Sequence, residues 1–251
     1  MTTRETLLQT LDALLEPSRF KDYCPNGLQV EGRAEVRKIV SGVTASLAFL
    51  QAAIEAQADT VLVHHGLFWR GYDGCVTGWM RKRLALVLAH DINVIAYHLP
   101  MDAHPELGNN AQLAKKLDWL VTSRFGEQQL GFSGEPKNGA FTNDIALAQD
   151  IEIRLGRKVT LVQGHEGPVK RIAWCTGGAQ GYFEEAIAQG ADVFVTGEIS
   201  EPQAHYAREC GVSYIACGHH ASERYGAPAV AAHAAHVHGL LHEFNDVDNP
   251  A

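Results

Sequence analysis

Val61–Trp69 reads VLVHHGLFW, and this stretch places two adjacent histidines at the end of an apolar run. Val61–Val63 have the β-branched and apolar character of a buried strand, and Gly66 lets the chain turn away after it. We expect Leu67–Trp69 to anchor that turn by packing. One histidine at a strand end is usually an ordinary polar residue, whereas an adjacent pair before a glycine turn indicates a functional site.

Strand and helix patterns alternate outward from this stretch, which predicts an α/β fold. The pattern divides the chain into a first α/β lobe over 1–118, a connecting elaboration over 119–168 and a second α/β lobe over 169–251. The predicted strands are 37–43, 60–63, 92–97, 171–175, 193–196, 212–217 and 240–244, and the main predicted helices are 3–16, 46–56, 79–89, 108–117, 181–188, 201–208 and 221–238.

The second lobe echoes the first at two offsets. A shift of 133 residues places Ile39 on Ile172 and carries Ala58-Asp59 onto Ala191-Asp192 without a gap. A shift of 121 places His98-x-x-x-Asp102 on His219-x-x-x-Glu223. An internal duplication explains both matches, and so does the shared patterning of any two strand–helix–strand units.

Histidines and carboxylates follow several of the predicted strands. In open α/β sheets, ligands bind beyond the carboxyl ends of the strands, so these side chains are expected at one edge. Imidazole and carboxylate together suit zinc, iron or manganese. Adjacent side chains of a strand point to opposite faces, which favours two ions over one at the histidine pair. The candidates are His64, His65, His98, Asp102, His219, His220 and Glu223.

Composition narrows the class of protein. The 251 residues carry a formal charge of −8, and the only basic cluster is Arg81–Arg83, which argues against general nucleic-acid binding. No apolar run approaches the ~18 residues that span a bilayer, and the first residues lack signal-peptide features, so a cytoplasmic protein is expected. The five cysteines form no CxxC pair, and there is neither a P-loop nor a GxGxxG after a strand.

Five segments, in order, resemble the Ngg-interacting-factor-three-like family of dinuclear metal centre proteins, whose members carry the name GTP cyclohydrolase I type II homologue. The resemblance covers nearly the whole chain and is greatest to the short bacterial members. The segments are DYCPNGLQVEG (22–32), HHGLFW (64–69), AYHLPMDAHPELGNN (96–110), TGEISE (196–201) and GHHASERYG (218–226).

The resemblance implies two interlinked α/β lobes with mixed sheets flanked by helices, assembled as a ring-shaped homohexamer. It further implies two divalent ions per chain, with His98 lining the site as a general base or a further ligand. His220 is either near the ligands or simply part of the turn. The implied metal ligands are His64, His65, Asp102, His219 and Glu223.

The chemistry of such a site is metal-assisted hydrolysis, and the resemblance implies a nucleotide or related heterocycle as a small-molecule substrate. A non-catalytic metal-binding or regulatory protein is the alternative, and a redox enzyme with two irons is a third class. Three other positions carry open interpretations. Glu198 is a carboxylate near the ligands or a helix-start charge, Gly177-Gly178 is a phosphate turn or an ordinary one, and Asn26 presents its amide to substrate or closes a surface turn.

Overall fold

The computed structural model describes all of residues 1–251. The strands are β1 (Thr2–Thr3), β2 (Gly27–Val30), β3 (Glu35–Val36), β4 (Lys38–Thr44), β5 (Thr60–His65), β6 (Asn93–Ala96), β7 (Trp119–Phe125), β8 (Gly131–Pro136), β9 (Thr160–Val162), β10 (Ile172–Trp174), β11 (Val193–Thr196), β12 (Ser213–Ala216) and β13 (Leu241–Phe244).

The helices are α1 (Arg4–Leu15), α2 (Leu47–Glu55), α3 (Gly78–Ala89), α4 (Leu99–Ala103), α5 (Asn109–Lys116), α6 (Asp144–Leu155), α7 (Phe183–Ala188), α8 (Glu201–Cys210), α9 (His219–Glu223) and α10 (Gly226–His238). Three short 3₁₀ turns lie at Pro17–Arg19, Glu127–Gln129 and Gln180–Tyr182. None of the helices has the length and apolar character needed to cross a membrane.

The chain forms two compact units. The first unit comprises 1–108 and 224–248, and the second comprises 109–223 and 249–251. Each contains a mixed sheet flanked by helices, as predicted for the fold class.

The sheet of the first unit has the strand order β13-β4-β5-β6-β2, with only β2 antiparallel to its neighbour. Alternation along β5 sends side chains to both faces. Val61 and Val63 pack in one core with residues of α2 and α3, whereas Leu62 packs in the other with residues of α1 and α10. Because both faces are covered, β5 is apolar at every position from Val61 up to the histidines.

The sheet of the second unit has the strand order β7-β8-β10-β11-β12-β9, with β10, β11 and β12 parallel at its centre. Aromatic residues fill the core around these strands. The ring of Tyr214 on β12 lies 4.9 Å from that of Phe183 on α7 and 5.6 Å from that of Phe194 on β11. Tyr214, Phe183 and Phe194 are all fully buried.

The unit boundaries differ from the lobes expected from the sequence. Residues 119–168 contribute β7, β8, β9 and α6 to the second unit, and residues 224–248 return α10 and β13 to the first. The strands β7 and β8 pair antiparallel with a register shift, and β7 is exposed at 120–123, so its hydrophobic pattern is weak. The helix expected over 221–238 is two helices, α9 and α10.

The pairing of β4 with β5 in the first unit recurs, residue for residue, in the pairing of β10 with β11 in the second. Ile39 pairs with Thr60 between β4 and β5, and Ile172 pairs with Val193 between β10 and β11, each residue 133 positions later. The Asp59 carboxylate accepts hydrogen bonds from two backbone N–H groups at the start of β4, and Asp192 does the same just before β10. This agreement in hydrogen bonding goes beyond shared patterning and supports an internal duplication.

Candidate metal centre

Three histidines of the first unit meet beyond the carboxyl ends of β5 and β6. His64 and His65 end β5, and His98 stands just before α4. The ring of His98 lies 4.9 Å from that of His64 and 5.7 Å from that of His65. Their ligand nitrogens all lie within 4.8 Å of one another, which is close enough to surround a metal ion.

His64 is completely buried, and its hydrogen bond defines its tautomer. Its Nδ1 lies 3.2 Å from the carbonyl oxygen of Tyr97. Because a carbonyl only accepts, Nδ1 donates, and in the neutral ring Nε2 carries the lone pair. That Nε2 is 3.6 Å from Oδ1 of Asp102, which α4 presents one turn after His98. Two electron-pair donors that face each other in a buried place suit a cation bound to both.

His65 does not diverge from His64, so the expected opposite orientation of the pair is wrong. The two ring centroids lie 4.5 Å apart. Strand alternation fixes the direction of each Cβ, but β5 ends here and both rings approach His98 beyond it. His65 is half-buried, with Nδ1 3.1 Å from the hydroxyl of Thr44.

His98 is held by a carboxylate that the sequence alone did not single out. Its Nδ1 lies 2.7 Å from Oδ1 of Asp22, in the loop before β2. Burial raises the pKa of Asp22, but hydrogen bonds from His98 and Asn26 and the charge of His98 outweigh it and hold the pKa at about 2. Asp22 belongs to the DYCPN segment, and its spacing from His98 carries no local pattern that would have revealed the contact.

Asn26 does more than close a surface turn, and its amide is not left to contact a substrate, because both of its polar atoms have partners within the protein. Its Nδ2 donates to Asp22, and its Oδ1 accepts from the backbone N–H of His98 at 2.8 Å. The neighbouring thiol of Cys24 is buried, and burial with the charges of Asp22 and Asp102 raises its pKa to about 12. Cys24 is therefore a protonated thiol at neutral pH.

The second unit carries its own histidine and carboxylates. His219 opens α9 with Nε2 3.1 Å from Oε2 of the buried Glu223, four residues on. Its Nδ1 lies 2.6 Å from Oε1 of Glu198, just beyond β11. Burial lowers the pKa of His219, but hydrogen bonds and charge from Glu223 and Glu198 outweigh it and raise the pKa to about 9. Glu198 thus contacts His219, whereas the sequence left its role open.

Gly177 makes room for Glu223. A Cβ at Gly177 would stand 2.0 Å from Oε1 of Glu223 and 3.3 Å from Nε2 of His219, and the backbone N–H of Gly177 donates to the hydroxyl of Ser222. The position of the Glu223 carboxylate therefore explains why residue 177 is a glycine. His220 lies in α9, and its backbone N–H donates to the carbonyl oxygen of Ala251.

These features define a class: an α/β protein of two related units, each with imidazole and carboxylate groups at the carboxyl ends of its parallel strands. The sequence model of the Duf34/NIF3 (NGG1p interacting factor 3) family matches residues 2–249. The chain belongs to this family, as its five segments predicted.

Relatives cover the chain from end to end. It is 51% identical over 251 residues to the GTP cyclohydrolase 1 type 2 homolog of Neisseria meningitidis serogroup A, with 100% of both chains covered. A solved structure described as protein ybgI, of unknown function, has a TM-score of 0.96 and 45% identity, and TTHA1606 of Thermus thermophilus has a TM-score of 0.88 and 33% identity. Both structural matches cover 100% of each chain.

Proposed function

We propose that this protein is a dinuclear, divalent-metal-dependent hydrolase acting on a nucleotide or a related heterocycle. The observation that carries the proposal is that each unit places a histidine beside a buried carboxylate just beyond its parallel strands. The donor set fits the group, because imidazole and carboxylate are the ligands that zinc, iron and manganese take. The residues that would hold two such ions are His64, His65, Asp102, His219 and Glu223.

Bound divalent ions supply a Lewis acid and lower the pKa of water toward neutrality. The chain's own contribution to proton transfer is His98, which stands among the ligand nitrogens of His64 and His65. An imidazole with a lone pair on one ring nitrogen can accept a proton and return it. His98 therefore acts as the general base in the proposed reaction.

Aromatic rings beside His98 support a planar substrate. The ring of Trp69 lies 5.1 Å from that of His98 in an edge-to-face arrangement and 5.7 Å from that of His65. Tyr23 is 56% exposed, and the guanidinium of Arg70 lies 5.4 Å from its ring centroid. Aromatic faces and an arginine suit a purine-like ring that carries an anionic group. The name shared by the curated relatives, GTP cyclohydrolase 1 type 2 homolog, agrees with this substrate class.

The test begins with metal content and then turns to hydrolysis. The protein is loaded with zinc, manganese or iron(II), its metal content per chain is measured, and ribonucleotides are screened for ring opening or hydrolysis. We expect two ions per chain and turnover of at least one nucleotide. His64→Ala and Glu223→Ala should each lose metal and activity, whereas His233→Ala, on the exposed face of α10, should retain both.

The outcomes separate the function classes. Fewer than two ions at saturation would overturn the dinuclear site. Full metal with every nucleotide intact would favour a non-catalytic metal-binding or regulatory protein, and an iron-dependent redox change without hydrolysis would favour the two-iron class. The homohexamer and the cytoplasmic location stay part of the proposal, and light scattering of the purified protein and fractionation of the cells test them.

A further inference from the structure

One loop carboxylate in the first unit has both of its oxygens engaged by hydrogen-bond donors. Oδ1 of Asp22 accepts from the backbone N–H of Tyr23 at 2.6 Å and meets Nδ1 of His98 at 2.7 Å. Oδ2 accepts from the backbone N–H of Leu99 and from the side-chain amide of Asn26, both at 2.9 Å. Backbone N–H and amide NH₂ groups only donate, so the Asp22 carboxylate serves as an acceptor on both sides.

This arrangement decides which nitrogen of His98 carries the proton. A carboxylate acceptor 2.7 Å from Nδ1 requires Nδ1 to donate, which leaves the lone pair of the neutral ring on Nε2. The Asp22 side chain is only 4% exposed, so water does not compete strongly for its oxygens. Asn26 fixes the backbone of His98 as well, because its Oδ1 accepts from that N–H.

We propose that Asp22 is a positioning residue that fixes the Nδ1-protonated tautomer of His98 and so leaves the lone pair of the ring on Nε2. The inference rests on the proposed hydrolase function for its catalytic meaning. Asp22 touches neither substrate nor metal in this proposal and acts only through His98. A base held in the correct tautomer accepts a proton without first exchanging its own, and correctly placed general bases contribute about 10²–10⁴-fold to rate.

The tautomer is measured by long-range ¹H–¹⁵N NMR of histidine-labelled full-length protein, before and after chelation of bound metal, in mildly alkaline buffer. In the wild type we expect a single His98 form, with an N–H signal on Nδ1 and an unprotonated Nε2. Asp22→Asn should lose this preference and give a mixture or the Nε2-protonated form. In the loaded enzyme, Asp22→Asn should lower kcat by about 10²-fold, with little change in KM or metal content.

Asp12→Asn is the matched control. Asp12 accepts a 2.6 Å hydrogen bond from the hydroxyl of Tyr97, the residue before His98, so its loss perturbs the same segment without touching the imidazole. The control should retain the wild-type tautomer and kcat. An equal change in both variants would assign the effect to general loosening and overturn the proposal.

The wild-type spectrum alone decides the proposal if Asp22→Asn fails to fold. A protonated Nε2 or a doubly protonated ring in the wild type would overturn the role of Asp22. Because the NMR measurement needs no substrate, it is independent of the hydrolase proposal. The expected tautomer without any turnover would support the positioning by Asp22 and overturn the hydrolase, whereas turnover with the opposite tautomer would overturn the inference alone.

Discussion

The same strand–helix–strand frame ends in different chemistry in the two units. The positions of His64 and His65 in the first unit correspond to Gly197 and Glu198 in the second, 133 residues later. A Cβ at Gly197 would stand 2.6 Å from the Cα of His219, so backbone occupies the space where the first unit has the side chain of His64. The strand–helix–strand frame is therefore repeated, whereas the residues at the ends of its strands differ between the units.

The histidines that follow β6 in the first unit and β12 in the second also differ in position. His98 comes two residues after β6, whereas His219 comes three residues after β12, because Gly218 is inserted. Each histidine presents Nδ1 to a carboxylate, at 2.7 Å from Asp22 and at 2.6 Å from Glu198. In the proposed function, the first histidine is a base and the second a metal ligand, each oriented by its own carboxylate.

The largest expected effect is on the free energy of unfolding. It tests the shared frame by removing the side chains of Asp59 and Asp192. Asp59 accepts from the backbone N–H groups of Arg37 and Lys38 at 2.7 and 3.0 Å, and Asp192 accepts from two such groups at 2.8 Å each. Asp59→Ala and Asp192→Ala should each lower the free energy of unfolding by about 3 kcal/mol, because each leaves two donors poorly satisfied. Urea denaturation followed by circular dichroism measures the loss.

The control is Asp73→Ala, an exposed aspartate with one local hydrogen bond, which should cost less than about 1 kcal/mol. The loss of unfolding free energy caused by Asp192→Ala should be smaller at acid pH. Burial raises the pKa of Asp192, but the backbone hydrogen bonds outweigh it and hold the pKa below its ordinary value. Its stabilisation is therefore complete above the ordinary pKa and is lost as the pH falls through the lowered one. A large loss at only one of the two aspartates would break the correspondence between the units.

The sequence allowed much of this comparison to be predicted. The continuous apolar runs of β4, β5, β10 and β11 located the frame, because strands buried on both faces are apolar at successive positions. The antiparallel strands β7, β8 and β9 were not predicted, since they are partly exposed and their alternation is weak. The contact of Asp22 with His98 spans 76 residues, and only the folded chain shows it.

The next largest effect is on metal affinity, and it distinguishes the role of Glu198 from that of Asp22. Glu198→Gln should weaken metal binding about 10–100-fold, because Glu198 orients the proposed ligand His219 through Nδ1. Asp22→Asn should leave metal affinity close to that of the wild type, since its partner is the proposed base. Competition with a chromophoric chelator measures both affinities.

Glu201→Gln is the control for this pair, because Glu201 forms an exposed ion pair with His205 at 2.9 Å on α8. It should bind metal as the wild type does. If Asp22→Asn loses metal as strongly as Glu198→Gln, then His98 is a ligand, and the division between base and ligand is wrong.

The smallest effect tests the inserted residue, Gly218. Its φ of +100° is strained for any residue with a Cβ, and a Cβ there would stand 2.0 Å from the guanidinium of Arg157. That guanidinium donates to the carbonyl oxygens of Pro250 and Ala251, so it can move aside only by weakening those contacts. Gly218→Ala should therefore lower the free energy of unfolding by about 1–2 kcal/mol, measured by urea denaturation.

Gly181→Ala provides the comparison, because a Cβ there meets open space, and the change should be close to neutral. Gly218→Ala should also weaken metal binding, since the strained peptide leads directly into His219. A variant that loses stability but binds metal as the wild type does would show that the insertion serves the backbone alone. Loss of both would tie the one-residue difference between the units to the placement of the proposed ligand.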